Sequence, residues 1–390
     1  MRRTTDGCGE QRRAGGIAMD IGRATRRANA AALMALLLGI GCSSSDGTVA
    51  GSDGGGDVQT DAGTPMTDAA PHSIGELGPG LRTLVGDSAA GYVDGNRTVS
   101  LFNNPVNVVV GPQGDIFVAD FDNGLVRQVT PEGVASTLVQ QPGFSRPFGM
   151  VFTPHGQFFV QTDRNSAGEN LGALWRVSLE TGAATVVIED AGRVRGLASL
   201  SDGRLVLANK STSVLSIYDP ADGTLETLAG RANAPGYSNG TGDAARFNEP
   251  LDIVVSNDDE IYVADSDNHR IRVVTLAGAV STIAGNGTAT SVDGPVGSAS
   301  FSEPVGLALG DDGSVYVSEF ASGKLRRILD DQVQTVAGTS PGFADHEDPL
   351  QAQLHVCEGL AFDAPYLYVA DGNGGTDAPY HRVRRLLLEE

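Results

Sequence analysis

The feature that most limits what this chain can fold into is a unit of four short apolar runs, repeated six times between Leu81 and Leu388. One copy reads Phe247-Asn-Glu-Pro250-Leu-Asp-Ile-Val-Val, then Glu260-Ile-Tyr-Val-Ala-Asp265-Ser-Asp-Asn268-His-Arg-Ile-Arg272, then Val280-Ser-Thr-Ile-Ala-Gly285. Similar copies start at Phe102 and Phe301, and three weaker ones centre on Pro147, Gly196 and Gly359. The residue two past the proline position falls at Asn107, Gly149, Gly196, Asp252, Gly306 and Gly359, giving spacings of 42, 47, 56, 54 and 53 residues. Four runs, each too short for a helix, at such a period predict blades of an all-β propeller, six in number. The second run is continuously apolar, as a strand covered on both faces by neighbouring blades requires. The last copy ends after three runs, at Arg384-Arg-Leu-Leu-Leu388, and Leu81-Arg-Thr-Leu-Val-Gly86 has the form of the missing fourth. The N-terminal strand is therefore predicted to complete the last blade and close the six-bladed ring, removing its open edges.

Ile261-Tyr-Val-Ala-Asp-Ser-Asp-Asn-His-Arg-Ile-Arg272 resembles the core of an NHL repeat, and the pattern extends over about 81–388. The second and third copies depart from it, with Thr162 and Asn209 in the aspartate's place, and the last has Cys357 in the proline's place. The resemblance implies a six-bladed β-propeller and no single activity.

Upstream of the repeats the chain is organised for export. Arg23, Arg26 and Arg27 precede an apolar run from Ala30 to Gly41, followed by Cys42. A basic segment, about a dozen apolar residues and small residues at a junction have the anatomy of a secretory signal. The run is too short to span a bilayer, which takes about 20 residues. With Cys42 at the junction, residues 1–41 resemble a bacterial lipoprotein signal, with Met19 as an alternative start, although Gly39 stands where leucine is usual. The resemblance implies lipidation at Cys42 and, with Ser43 following, an outer-membrane destination. Residues 42–80 are rich in Gly, Ser, Asp and Thr with almost no large apolar side chains, and read as a flexible tether. Residues 81–390 form the propeller.

The chain carries a formal charge of −21, and the part beyond residue 41 holds 20 basic against 45 acidic groups, or −25. Such a surface repels phosphate backbones, so nucleic acid is not an expected partner. Cys8, Cys42 and Cys357 form neither a CxxC nor an even-numbered framework, which argues against a zinc cluster or a disulfide scaffold.

Asp120, Asp265 and Asp371 end the second run of their copies, and Asn268 follows in one of them. Their repetition gives them a structural reading: each caps the following turn and pairs with Arg127, Arg272 or Arg384. His269 and His381 are likewise a repeat feature. His355-Val-Cys357-Glu358 is the most unusual string, with a buried cysteine in the proline's place. In lactonase-like six-bladed propellers an axial calcium is held by acidic and amide groups of the first strands. Asn107, Asp252 and Glu358 are the residues here that such a resemblance would enlist, so calcium is the one cofactor to test for. No nucleophile elbow, phosphate loop or dinucleotide fingerprint is present.

The segments between copies, 87–103, 231–248, 286–302 and 339–354, are long, as are 163–173 and 372–380 between second and third runs. Turns such as Gly111 to Gly114 are tight, which predicts one working face. The residues fit a binding scaffold of the cell envelope, contacting protein or glycan through that face, with the membrane reached only through a lipid anchor. The alternative is a metal-dependent lyase or lactone hydrolase acting at the mouth of the central channel.

Overall fold

The computed structural model describes residues 77–376 and 379–388. The signal region 1–41, the lipidation site Cys42 and the tether up to residue 76 lie outside the described residues.

Six antiparallel sheets of sequential strands account for the repeats. Their innermost strands are Pro105–Val110, Pro147–Phe152, Val194–Ser199, Pro250–Val255, Pro304–Leu309 and Val356–Asp363, which define blades 1 to 6. Each innermost strand contacts those of the two neighbouring blades, and blade 6 contacts blade 1, so the ring is closed. The predicted closure is observed: Leu81–Asp87 pairs with His381–Leu387 as the outermost strand of blade 6. In blades 1, 4 and 5 a two-residue strand of the preceding loop covers the outer edge: Gly95–Asn96, Gly240–Thr241 and Gly294–Pro295.

The core is divided. Buried apolar side chains form six clusters, one at each interface between adjacent blades. This is why second strands such as Ile116–Asp120 and Val315–Glu319 are buried along their whole length. Outer strands such as Ala279–Ala284 instead begin by alternating exposed and buried residues. The closing strand serves two interfaces: Leu81 joins the cluster between blades 5 and 6, and Leu84 and Val85 that between blades 6 and 1.

Near the axis the chains approach too closely for side chains. A Cβ on Gly359 would lie 2.6 Å from the Cα of Asn107, and one on Gly196 would lie 3.0 Å from that of Asp252. The glycines at the position two past the proline are thus explained by the next blade's backbone. Just before that position every innermost strand has a β-bulge, for example between Pro105 and Asn107 and between Cys357 and Gly359. A bulge inserts one extra residue and re-aims its side chain.

Candidate functional site

Two cavities open along the axis, one at each end. At the tight-turn end a cavity of about 460 Å³ is lined by the last residues of the innermost strands, among them Val110, Phe152, Val255, Leu309 and Phe362. At the other end a cavity of about 530 Å³ is lined by loops leading into the blades and loops between second and third strands. These are the two loop sets predicted to share a face.

The second cavity carries most of the charge. Its cations, Arg146, Arg193, Arg195 and Lys210, all belong to blades 2 and 3 or the loops leading into them. Of its anions, Glu249, Asp267, Glu303 and Glu358 belong to blades 4 to 6 or their leading loops, Asp122 to blade 1 and Asp163 to blade 2. The residues one past the proline position are Val106, Phe148, Arg195, Leu251, Val305 and Glu358, and all six line this mouth. Four are apolar. The two charged ones stand on blades 3 and 6, three blades apart and so on opposite sides of a six-bladed ring.

Arg195 is only 8 % exposed and is held from two sides. Its Nη2 donates to Asp163 Oδ2 at 2.6 Å, and its guanidinium lies over the Phe148 ring, 3.8 Å from the centroid. Arg193 Nη2 donates to the same carboxylate oxygen at 3.2 Å. At the rim Lys210 and Glu249 form an ion pair of 2.9 Å. Glu358 is half-buried, and the described groups that act on its carboxylate, Arg195, Lys210, Asp163 and Asp122, do so through their charge and not by hydrogen bonds. Burial pushes it up to about 7, against the pull of Arg195 and Lys210.

The repeated aspartates lie apart from this mouth chemistry, in buried clamps. Asp120 Oδ1 accepts the Asn103 N–H, and Oδ2 accepts from Asn123 and Arg127. Asp265 does the same with Asn248, Asn268 and Arg272. Asp371 accepts from His355 N–H and Arg384. The backbone partner comes from the loop leading into the same blade, whereas the sequence reading placed it in the following turn; in blades 1 and 4 that turn is tied down by the Asn123 and Asn268 side chains. The fully buried arginines also reach the carbonyls of those leading loops, as Arg127 does to Leu101 and Val93. In blade 2 the clamp is rebuilt without charge: Trp175 stands in the arginine's place, and its Nε1 donates to Thr162 Oγ1 at 2.8 Å.

The structure does not gather the three candidate metal ligands. Asn107 and Asp252 line the tight-turn cavity, while Glu358 lines the mouth. Asp252 spends one oxygen on the Ile253 N–H and the other on the Leu307 N–H of the next blade, and Asn107 Oδ1 accepts the Val108 N–H. Among the described residues no group of three His, Cys, Asp or Glu side chains is placed to hold a metal. The donors therefore do not fit a shared calcium. Cys357 is buried in the interface between blades 5 and 6, and burial raises its thiol well above the ordinary range. His355 stacks on Tyr380, 4.1 Å between ring centroids.

Sequence reasoning missed a backbone feature of the mouth. The residues preceding the prolines, Asn104, Arg146, Glu249 and Glu303, are left-handed, with φ between 52° and 57°. Two are fastened by histidines of the preceding blade: His381 Nδ1 accepts the Asn104 N–H at 3.0 Å, and His269 Nδ1 the Glu303 N–H at 3.3 Å. Burial and Arg382 lower the His381 pKa, favouring the neutral ring that can accept. The pairing of each His with the next blade's x-Pro was the available signal.

Comparison with known proteins agrees with this architecture. The NHL repeat family model matches residues 247–274. The chain is 26% identical over 323 residues to NHL repeat-containing protein 2 of Bos taurus, covering 66% of this chain and 43% of that protein. It thus spans less than half of that relative's length. A protein of unknown function from Bacteroides thetaiotaomicron superposes with a TM-score of 0.65 at 19% identity, over 79% of this chain and 76% of the other. An auxiliary nutrient binding protein from Bacteroides ovatus gives 0.63, also at 19% identity, over 80% and 76%. The chain is a six-bladed β-propeller, and its residues 247–274 are similar to the NHL repeat.

Proposed function

We propose that this protein is an exported lipoprotein, anchored at the outer membrane through Cys42, whose propeller is a binding scaffold for an envelope protein or glycan. The observation that carries the binding role is the mouth: a concave, charged cavity on the long-loop face, built largely from side chains that differ between blades. Residues under repeat constraint hold the blades together, while those that break the repeat converge on one opening. The fold likeness to a solved nutrient binding protein supports the same reading.

Two measurements test it. Labelling with a radioactive fatty acid should mark the full chain and be lost in Cys42→Ser; persistent label refutes the anchor. Capture of envelope components by the full chain should be lost when Arg193 and Arg195 are both replaced by alanine. Capture that survives this change, and is lost instead on altering the tight-turn end at Phe152 or Phe362, refutes the mouth as the binding surface.

A further inference from the structure

The bulge position places one cation and one anion on opposite sides of the mouth, with apolar side chains between them, and they do not neutralise each other. Arg195 and Glu358 form no ion pair, although each lies within the other's field. Arg195 gives Nη2 to Asp163 and has no hydrogen-bond partner for Nη1 among the described residues. Glu358 accepts from no described group. Two complementary groups, held apart inside a concave cavity, leave a gap for a molecule that satisfies both.

We propose that the mouth binds a small zwitterion of the amino-acid or short-peptide class, its carboxylate on Arg195 and its ammonium at Glu358, with an apolar body against Val106, Phe148, Leu251 and Val305. This rests on the reading of the mouth as a binding site and specifies its ligand. A carboxylate suits the cationic pole better than a phosphate does. Arg193 and Arg195 share Asp163 and Lys210 is paired with Glu249, while Glu358, Asp122 and Glu303 face this pole from the rest of the mouth, so a group with one negative charge meets less repulsion there than one with two. A dianion would also meet the repulsion of a strongly acidic chain. The guanidinium lies over the Phe148 ring with Nη2 on Asp163, which leaves Nη1 to donate a charge-assisted hydrogen bond to an arriving carboxylate. At the other pole an arriving ammonium favours the charged form of Glu358 and supplies the donor that it lacks.

The test is calorimetric titration of the full chain with three probes: free divaline, its N-acetyl derivative and its C-terminal amide. Free divaline should bind, and removing either charge should weaken binding about tenfold or more, as loss of a charge-assisted hydrogen bond does. Glu358→Gln should abolish the preference for the free amine while leaving the affinity for N-acetyl-divaline unchanged. Arg195→Gln should abolish the preference for the free carboxylate. Because Arg195 also holds Asp163, Arg195→Lys serves as the folded control and should retain part of that preference. Equal binding of all three probes, or none by any, overturns the zwitterion. In the latter case, capture of envelope material that still depends on Arg193 and Arg195 would leave the mouth as a binding site for a different ligand.

Discussion

Each buried arginine of the third strands is a structural decision made by one residue. Arg272 has no exposed surface and satisfies Asp265, Asn239 and the carbonyls of Arg246 and Ser238. Removing it strands a buried carboxylate, so Arg272→Met should cost about 3–5 kcal/mol in denaturant unfolding. Converting the pair to blade 2's solution, with Asp265→Thr and Arg272→Trp together, should recover part of the loss, because no charge is then left unpaired. A second residue-scale expectation concerns pH. Burial holds Asp252 and Glu358 at about 7, above ordinary values of 3.8 and 4.5. Both are raised, so the unfolded chain ionises first. Their stabilising contribution is full below about pH 4 and is lost as pH rises through about 7. The melting temperature should therefore fall between pH 5 and pH 8, and Asp252→Asn with Glu358→Gln should flatten that fall.

Within each blade the innermost strand carries the burden of fit, because its glycines face the backbone of the next blade. Gly196→Ala and Gly359→Ala should each destabilise by about 1–3 kcal/mol through overpacking at the axis. Gly297→Ala, in a loop where an added Cβ meets nothing within 4 Å, should be close to neutral in the same unfolding assay. The strands themselves were legible in the sequence, since their apolar runs and spacing follow from blades that bury both faces. The bulge was not, because innermost strands such as Pro105–Val110 and Pro304–Leu309 are buried on both faces and leave no alternation for an extra residue to interrupt. That is why Glu358 was grouped with Asn107 and Asp252, one position out of step. Aligning the copies at the residue after the proline would have shown Arg195 and Glu358 as the two charges in an apolar set. What they face could be known only once six blades were closed into a ring.

Ring closure is what turns local residues into a site. Blade 3 and blade 6 are remote in sequence, and Glu358 stands across from Arg195 because the ring closes, with Val356–Asp363 against Pro105–Val110 and Leu81–Asp87 completing the last blade. The same closure removes the free edges that an open array of strands would offer to other chains. The overall negative charge, legible from composition, sets which ligands approach, while the concentration of cations on blades 2 and 3 emerges only in three dimensions. Arg82 and Arg385 are paired across the closing strands. The decisive measurement is therefore oxidation of the full chain carrying Arg82→Cys and Arg385→Cys, followed by mass spectrometry of the digest. The account expects a crosslink between these two positions within a single chain, and a higher melting temperature when oxidised. No crosslink, or one found only between chains, would contradict the closed ring.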